Sequence, residues 1–237
     1  MWRSVTALLA TTTLLLLGSP PADAALLWNG DAALGKGVFA NIGGECASPG
    51  DVTAVDDADR GKVWRYRKPG GLNRCESRGI KVGGKEYTFR NGQTYYLGWS
   101  SKLTSTVNNN ANFQWKSYGN HTQNYPVVLK VIDGRFALLQ RQPNETRIIW
   151  RTPLAANTWH RVVLGLHLSD QLKGGWVELY YDGVQQTFDG GSKRWPCRTF
   201  DDENHPKWGV YGARDDAVTQ FVDDLKIGTA YSDVAGG

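Results

Sequence analysis

The stretch Trp176-Val177-Glu178-Leu179-Tyr180-Tyr181-Asp182-Gly183 decides the fold class. Its aromatic and branched residues suit a pleated strand, and the Asp-Gly pair that ends it tolerates the positive φ angles of a tight hairpin. Working outward, Val184 to Phe188 supplies the returning arm. Upstream, Thr158-Trp159-His160-Arg161-Val162-Val163-Leu164 opens a second core strand, Trp159 to Leu168, in which His160 and His167 read as structural histidines. Asp133-Gly134 repeats the hairpin chemistry between Val127 to Ile132 and Arg135 to Gln140.

Short runs rich in Val, Ile, Tyr, Trp and Phe, separated by Gly, Asn, Asp and Pro clusters, continue through the chain, and helical periodicity is nearly absent. They predict further strands at Gly37 to Ile42, Val63 to Tyr66, Arg74 to Ile80, Thr94 to Leu103, Asn112 to Tyr118, Arg147 to Trp150, Gly175 to Tyr181, Lys207 to Tyr211 and Gln220 to Ile227. So many strands without helices to cover a sheet must cover one another, which predicts an all-β, two-sheet jelly-roll sandwich. Ten tryptophans supply large pieces for its core.

At the N-terminus, Arg3, the apolar run Val5 to Leu17 and Ala22-Asp23-Ala24 follow the charge, apolar run and small-x-small order of an export signal. Residues 1–24 are therefore expected to be removed, leaving residues 25–237 as one domain. The apolar run is shorter than the ~20 residues of a membrane span, which predicts a secreted, extracellular protein with no membrane partner. The net charge of +4 favours acidic partners at long range and is too small to imply nucleic acid. A monomer is expected. Cys46, Cys75 and Cys197 predict one disulfide and one leftover thiol, with the pairing open, and their spacings fit no zinc pattern.

Three stretches carry chemistry. Strand alternation puts Arg74, Glu76 and Arg78 on one face of Arg74-Cys75-Glu76-Ser77-Arg78, and Gln114, Lys116 and Tyr118 on one face of Phe113-Gln114-Trp115-Lys116-Ser117-Tyr118. In His205-Pro206-Lys207-Trp208-Gly209-Val210-Tyr211 it aligns His205, Lys207 and Tyr211, with Gly209 leaving an open floor between the last two. Arginine forks bind carboxylates bidentately, and the rows add an amide, amines and phenols.

In this order the stretches resemble the jelly-roll polysaccharide lyases, which include alginate lyases, heparin lyase I-like enzymes and glucuronan lyases. Arg74-Cys75-Glu76 matches an Arg-x-Glu strand, Gln114-Trp115-Lys116 echoes Gln-x-His, and Lys207-Trp208-Gly209-Val210-Tyr211 matches the end of Tyr-x-Lys-x-Gly-x-Tyr. Lys116 stands where the alginate-lyase pattern has a histidine, and His205 where the last motif begins with tyrosine. Chain length, the Gln-Trp-Lys triplet and nearby Tyr118, His121 and Tyr125 look most like glucuronan lyases. The resemblance implies a concanavalin-like fold, some tryptophans lining a carbohydrate groove, no required cofactor, and β-elimination on an acidic, uronic-acid polysaccharide.

For that reaction Arg74 and Gln114 suit neutralisation of the substrate carboxylate, with Glu76, Arg78, Tyr118 and His205 around them. Lys207 adds positive charge. Tyr211 is the candidate acid, and acid and base together if both protons lie on one face of the sugar; Lys116 or His121 is the alternative base. Lys116 would need its pKa lowered from the usual ~10.4. A hydrolase needs two carboxyl groups flanking the scissile bond, and Asp201-Asp202-Glu203 and Asp215-Asp216 read instead as solvated loop charges. The alternative from another class is a non-catalytic carbohydrate-binding module. Asp31 and Asp223-Asp224 would form a structural calcium site if the terminal strands pair.

Overall fold

Both Asp-Gly pairs turn as expected: Asp133 and Gly134 have φ 49° and 69°, and Asp182 and Gly183 have φ 49° and 79°. The computed structural model describes residues 26–120 and 122–236, so the expected export signal and His121 lie outside the described residues. In chain order the strands are β1 (Leu26–Asn29), β2 (Phe39–Asn41), β3 (Asp51–Asp57), β4 (Gly61–Lys68), β5 (Arg74–Val82), β6 (Lys85–Glu86), β7 (Thr94–Leu103), β8 (Asn110–Tyr118), β9 (Val127–Ile132), β10 (Arg135–Gln142), β11 (Glu145–Pro153), β12 (His160–His167), β13 (Gly175–Tyr181), β14 (Val184–Gln185), β15 (Trp195–Cys197), β16 (Glu203–Gly212) and β17 (Val218–Gly228).

They form two sheets. One has the order β14-β13-β12-β7-β17-β4-β3, with β1 on β17 and β15 on β13; the other has the order β11-β10-β9-β8-β16-β5-β2, with β6 on β5. This is the expected all-β sandwich. Its middle is aromatic: Trp99 of β7 stacks on Phe113 of β8 at 4.6 Å, joining the sheets, and Trp28 stacks on Trp208 at 5.7 Å. Trp64, Trp99, Trp115 and Trp208 are fully buried. Among the described residues, no tryptophan stands beside the candidate site on the outer face of the second sheet, where the aromatic residues are Tyr118, Tyr125 and Tyr211.

The strands that sequence reading passed over are β1, β3, β6 and β15. Three of the seven residues of β3 are aspartates, which suits its place at an edge: it pairs with β4, and Asp51 takes Arg65 and Arg67 at 2.9 and 2.5 Å. The β14 strand stops at Gln185, short of the expected Phe188. His160 and His167 are structural as read, bonded to Asp182 at 2.9 Å and Thr94 at 3.0 Å.

Gly209 does not leave an open floor. It lies at φ 121° in a bulge of β16 against β8, and a Cβ there would stand 2.3 Å from the Cys75 carbonyl oxygen and 2.8 Å from the Tyr66 ring. Ordinary strand alternation, unbroken against β5, puts Trp208 and Val210 in the core and Lys207 and Tyr211 on the outer face, while the irregularity against β8 sets Tyr211 opposite Ala111. Gly209→Ala is therefore expected to lower stability by about 1–3 kcal/mol or more, because strain at φ adds to a backbone clash. Thermal melting checks this, and an unchanged melting temperature would remove the glycine requirement.

Candidate active site

Strands β5, β16 and β8 lie side by side, and their register brings the three same-parity stretches together. Lys207 is opposite Arg78 on one side and Gln114 on the other; Tyr211 is opposite Arg74; His205 is opposite Lys116. Side chains of residues directly opposite share a face, so Arg74, Arg78, Lys207, Tyr211, Gln114 and Lys116 emerge on one outer surface.

At its centre Lys207 is enclosed. Its ammonium lies 2.7 Å from Glu45 and 2.8 Å from Glu76, and the residue is 1% exposed. Gln114 Nε2 donates to Glu76 Oε1 at 2.6 Å, Arg74 bonds Glu45 at 3.1 Å and approaches Glu76 at 4.0 Å, and Arg78 comes within 3.9 Å of Glu45. Burial holds the Glu76 carboxyl above the ordinary carboxylate range against the pull of Lys207 and Gln114. Glu45 is the reverse: burial opposes its charge, but hydrogen bonds and attraction from Lys207 and Arg74 together keep its pKa low.

Sequence reading missed Glu45. A disulfide between Cys46 and Cys75 pins it there, and Glu76 N–H donates to the Glu45 carbonyl at 3.0 Å. Each disulfide cysteine neighbours a site residue in sequence, so choosing this pair among the three cysteines would have found Glu45. Cys197 is the leftover thiol, buried, with its pKa pushed up by burial.

Around this centre the side chains are more open. The Arg74 guanidinium lies over the Tyr211 ring, 4.8 Å from its centroid, and Arg78 and Lys116 lie over Tyr118 at 5.2 and 5.0 Å. Burial, with the nearby Glu45 charge, pushes the Tyr118 phenol up to about 12. Lys116 Nζ donates to the Ser117 carbonyl at 2.8 Å, the Asn124 carbonyl at 3.0 Å and Asn124 Oδ1 at 2.7 Å. Burial first, then repulsion from Lys207 and Arg74, brings the Lys116 pKa down to about 8.

His205 is 3% exposed and bound to acids, with Nε2 2.5 Å from Glu203 and 3.5 Å from Glu86. It stands at the far end of the row from Tyr211, beside Tyr118 at 5.4 Å. Asp201 is not a solvated loop charge: it is fully buried, pairs with Arg198 at 3.2 Å and accepts from Gln123 N–H at 3.1 Å. That bond fixes the segment whose Asn124 holds Lys116. Asp215 and Asp216 are exposed, as read.

Asp31, Asp223 and Asp224 do line one cavity, with Asn29 and Lys226. Asp223 is paired with Arg60 at 3.1 Å, Asp224 with Arg161 at 2.8 Å and Lys226 at 2.6 Å, and Asp31 accepts from Ala33 N–H. Among the described residues no three His, Cys, Asp or Glu side chains are grouped to hold a metal.

The chain is similar in fold to several solved structures. An alginate lyase of polysaccharide lyase family 7 matches with a TM-score of 0.53 and 12% identity, covering 79% of this chain and 86% of that one. An alginate lyase from Corynebacterium sp. matches at 0.52 and 16%, covering 77% and 82%. A carbohydrate esterase of the Shiga toxin-encoding bacteriophage phi24B matches at 0.58 and 13%, covering 87% and 99%. No curated protein matches the chain. The profile of one family, described as polysaccharide lyase, matches residues 52–228, a span that holds all three site strands and most of both sheets, and the chain belongs to that polysaccharide lyase family.

Proposed function

We propose that this chain cleaves a glucuronan-like uronic-acid polymer by β-elimination, with Tyr211 as the proton-transfer residue. One observation carries the reading: cations and a phenol share an open face, while the two carboxylates among them, Glu45 and Glu76, are already bound by Lys207, Arg74 and Gln114. A hydrolase would need two carboxyl groups free to give and take protons across the scissile bond. A polyuronate instead brings its own carboxylates and needs cations to receive them.

In this scheme the partly exposed Arg74 fork and the second N–H of Gln114 take the substrate carboxylate, stabilising the charge that develops on it as the C5 proton leaves. The C5–H bond breaks toward the Tyr211 oxygen, its electron pair forms the C4=C5 double bond, the C4–O4 bond breaks, and O4 departs with the proton from Tyr211. The Arg74 charge over the Tyr211 ring answers the negative charge the phenol oxygen carries before it accepts the proton. Lys207, enclosed between two carboxylates, positions Glu76 and through it Gln114.

C5 and O4 lie on the same sugar ring, so one residue reaching both is favoured over two rooted far apart. Lys116 is rooted five positions along β8 from Ala111, the partner of Tyr211, which at ~3.3 Å per residue is roughly 16 Å. We assign Lys116 to binding an acidic sugar as a cation. Its pKa of about 8 gives the sign of the test: the ammonium is present below that pH and lost above it, so KM for the polymer rises as pH passes through about 8. A kcat/KM that instead climbs through the same pH would make Lys116 the base.

The direct experiment is to incubate the protein with glucuronan, alginate and heparin-type polymers without added cofactor and follow the ultraviolet absorbance of unsaturated ends. Absorbance highest on glucuronan is expected. Binding without absorbance on any of the three would leave a carbohydrate-binding module. Export is part of the proposal, supported by the N-terminal sequence and by a disulfide suited to an oxidising compartment; mass spectrometry of exported protein is expected to find Ala25 first.

A further inference from the structure

Pairing across the second sheet aligns one continuous row: Arg74 with Tyr211, Tyr211 with Ala111, Ala111 with Lys130, Lys130 with Ala137, and Ala137 with Arg151. Residues directly opposite share a face, so the row leaves the Arg74–Tyr211 pair, crosses the small residues Ala111 and Ala137, and meets cations at β9 and β11. Arg135 joins them from the next same-face position of β10, beside a cavity of about 340 Å³ whose lining includes Ile132, Asp133, Arg135, Ile148 and Arg151. Resting on the polyuronate reading above, we propose that Lys130, Arg135 and Arg151 form a second subsite for acidic sugars, so that the polymer lies across the strands and extends over β9 to β11.

The contrast with the other cations on this surface supports the assignment. Arg74, Arg78, Lys116 and Lys207 all have partners. The side chains of Lys130, Arg135 and Arg151 have no hydrogen bond, ion pair or ring contact among the described residues. Lys130 is half-buried as well, and burial alone lowers its pKa, so its charge stands partly desolvated and unanswered. The one carboxylate beside the cavity is Asp133, which leaves an excess of positive charge. Beneath lies an apolar floor in which Ala111, Val128, Ala137 and Leu139 pack with Tyr125, Ile132, Ile148 and Tyr211. Cations above an apolar floor match the acidic edge and apolar face of a uronic acid ring.

The spacing fits a chain of sugars. Arg74 and Lys130 stand three strand intervals apart and Lys130 and Arg151 two, which at ~4.8 Å per interval is roughly 14 and 10 Å. A pyranose ring is about as long as one such interval. The row therefore spans several sugars, and an oligomer just long enough to fill the Arg74–Tyr211 end does not reach Arg151.

The test compares wild type with Lys130→Ala/Arg151→Ala on polymer and on the shortest oligomer that is cleaved. The expected result is a KM for polymer raised roughly tenfold per cation, with a flatter dependence on salt, and a KM for the short oligomer within twofold of wild type. Neither side chain has a partner to orphan, and matching thermal melts verify that the variant folds. Lys62→Ala, which removes an exposed cation from β4 of the other sheet, controls for net charge and is expected to leave both values unchanged. An unchanged polymer KM, or an equal rise for both substrates, overturns the subsite. If wild type cleaves no polyuronate, affinity for the polymer is read instead: a loss of roughly tenfold per cation, about a hundredfold in the double variant, upholds the subsite while the elimination reading fails.

Discussion

Tyr211→Phe is expected to lower turnover of the polymer by about 10²–10⁴-fold while changing its affinity little. The substitution removes one oxygen and leaves a ring of the same shape. That ring still packs on the outer-face patch with Ala111 and still lies beneath the Arg74 guanidinium at 4.8 Å. The Lys207–Glu76–Gln114 centre is untouched, so the carboxylate site stays formed. What is lost is the only atom assigned both to receive the C5 proton and to deliver it to O4. Initial rates from ultraviolet absorbance and affinities from titration calorimetry separate the two effects. A loss of less than tenfold would take proton transfer away from Tyr211 and return it to Lys116 or His121.

Lys207→Met is expected to cost about 3–5 kcal/mol of stability, because it removes the cation from a buried cluster and leaves its carboxylates behind. Glu76 is 1% exposed and would keep the Gln114 bond at 2.6 Å and the distant Arg74 at 4.0 Å; Glu45 would keep Arg74 at 3.1 Å. The pH dependence has a defined sign. Burial already holds the Glu76 carboxyl above its ordinary range, and without Lys207 its pKa rises further. A carboxyl with a raised folded pKa favours the folded state when protonated, so the deficit shrinks as pH falls through that raised value and is largest when Glu76 is ionised. Lys207→Met/Glu76→Gln, which removes both charges, is expected to recover part of the loss. Denaturant unfolding at pH 5 and pH 8 measures all of this. A deficit below about 1 kcal/mol at pH 8 would show that the pair is not a buried ion pair in solution.

The two variants probe different layers of one surface. Tyr211 faces outward and is the proposed proton-transfer residue, whereas Lys207, four positions away on β16, is buried and holds Glu76, which Gln114 also binds. Strand alternation had aimed both at one place, and it was right about the face. Depth separates them: Glu45 closes over Lys207, which has Gln114 opposite it on β8, while Tyr211 has the small Ala111 opposite it there.

The sequence by itself determined what depends on near neighbours along the chain. Hairpins at Asp133-Gly134 and Asp182-Gly183 follow from residues that tolerate positive φ. The shared faces of Arg74, Glu76 and Arg78 and of Gln114, Lys116 and Tyr118 follow from the two-residue repeat of a strand. The sandwich follows because many strands without helices can bury their apolar faces only against each other. Tertiary structure alone decided everything set by pairing between distant segments. The Cys46–Cys75 bridge, 29 residues apart in sequence, delivered Glu45. Strand register turned Lys207 from an available cation into a counter-charge and tied His205 to Glu203 and Glu86. It also lined Lys130 and Arg151 up with Tyr211. A side chain's face is fixed by the residue before it, but what stands opposite is fixed by which strand arrives there, and that is a property of the whole fold.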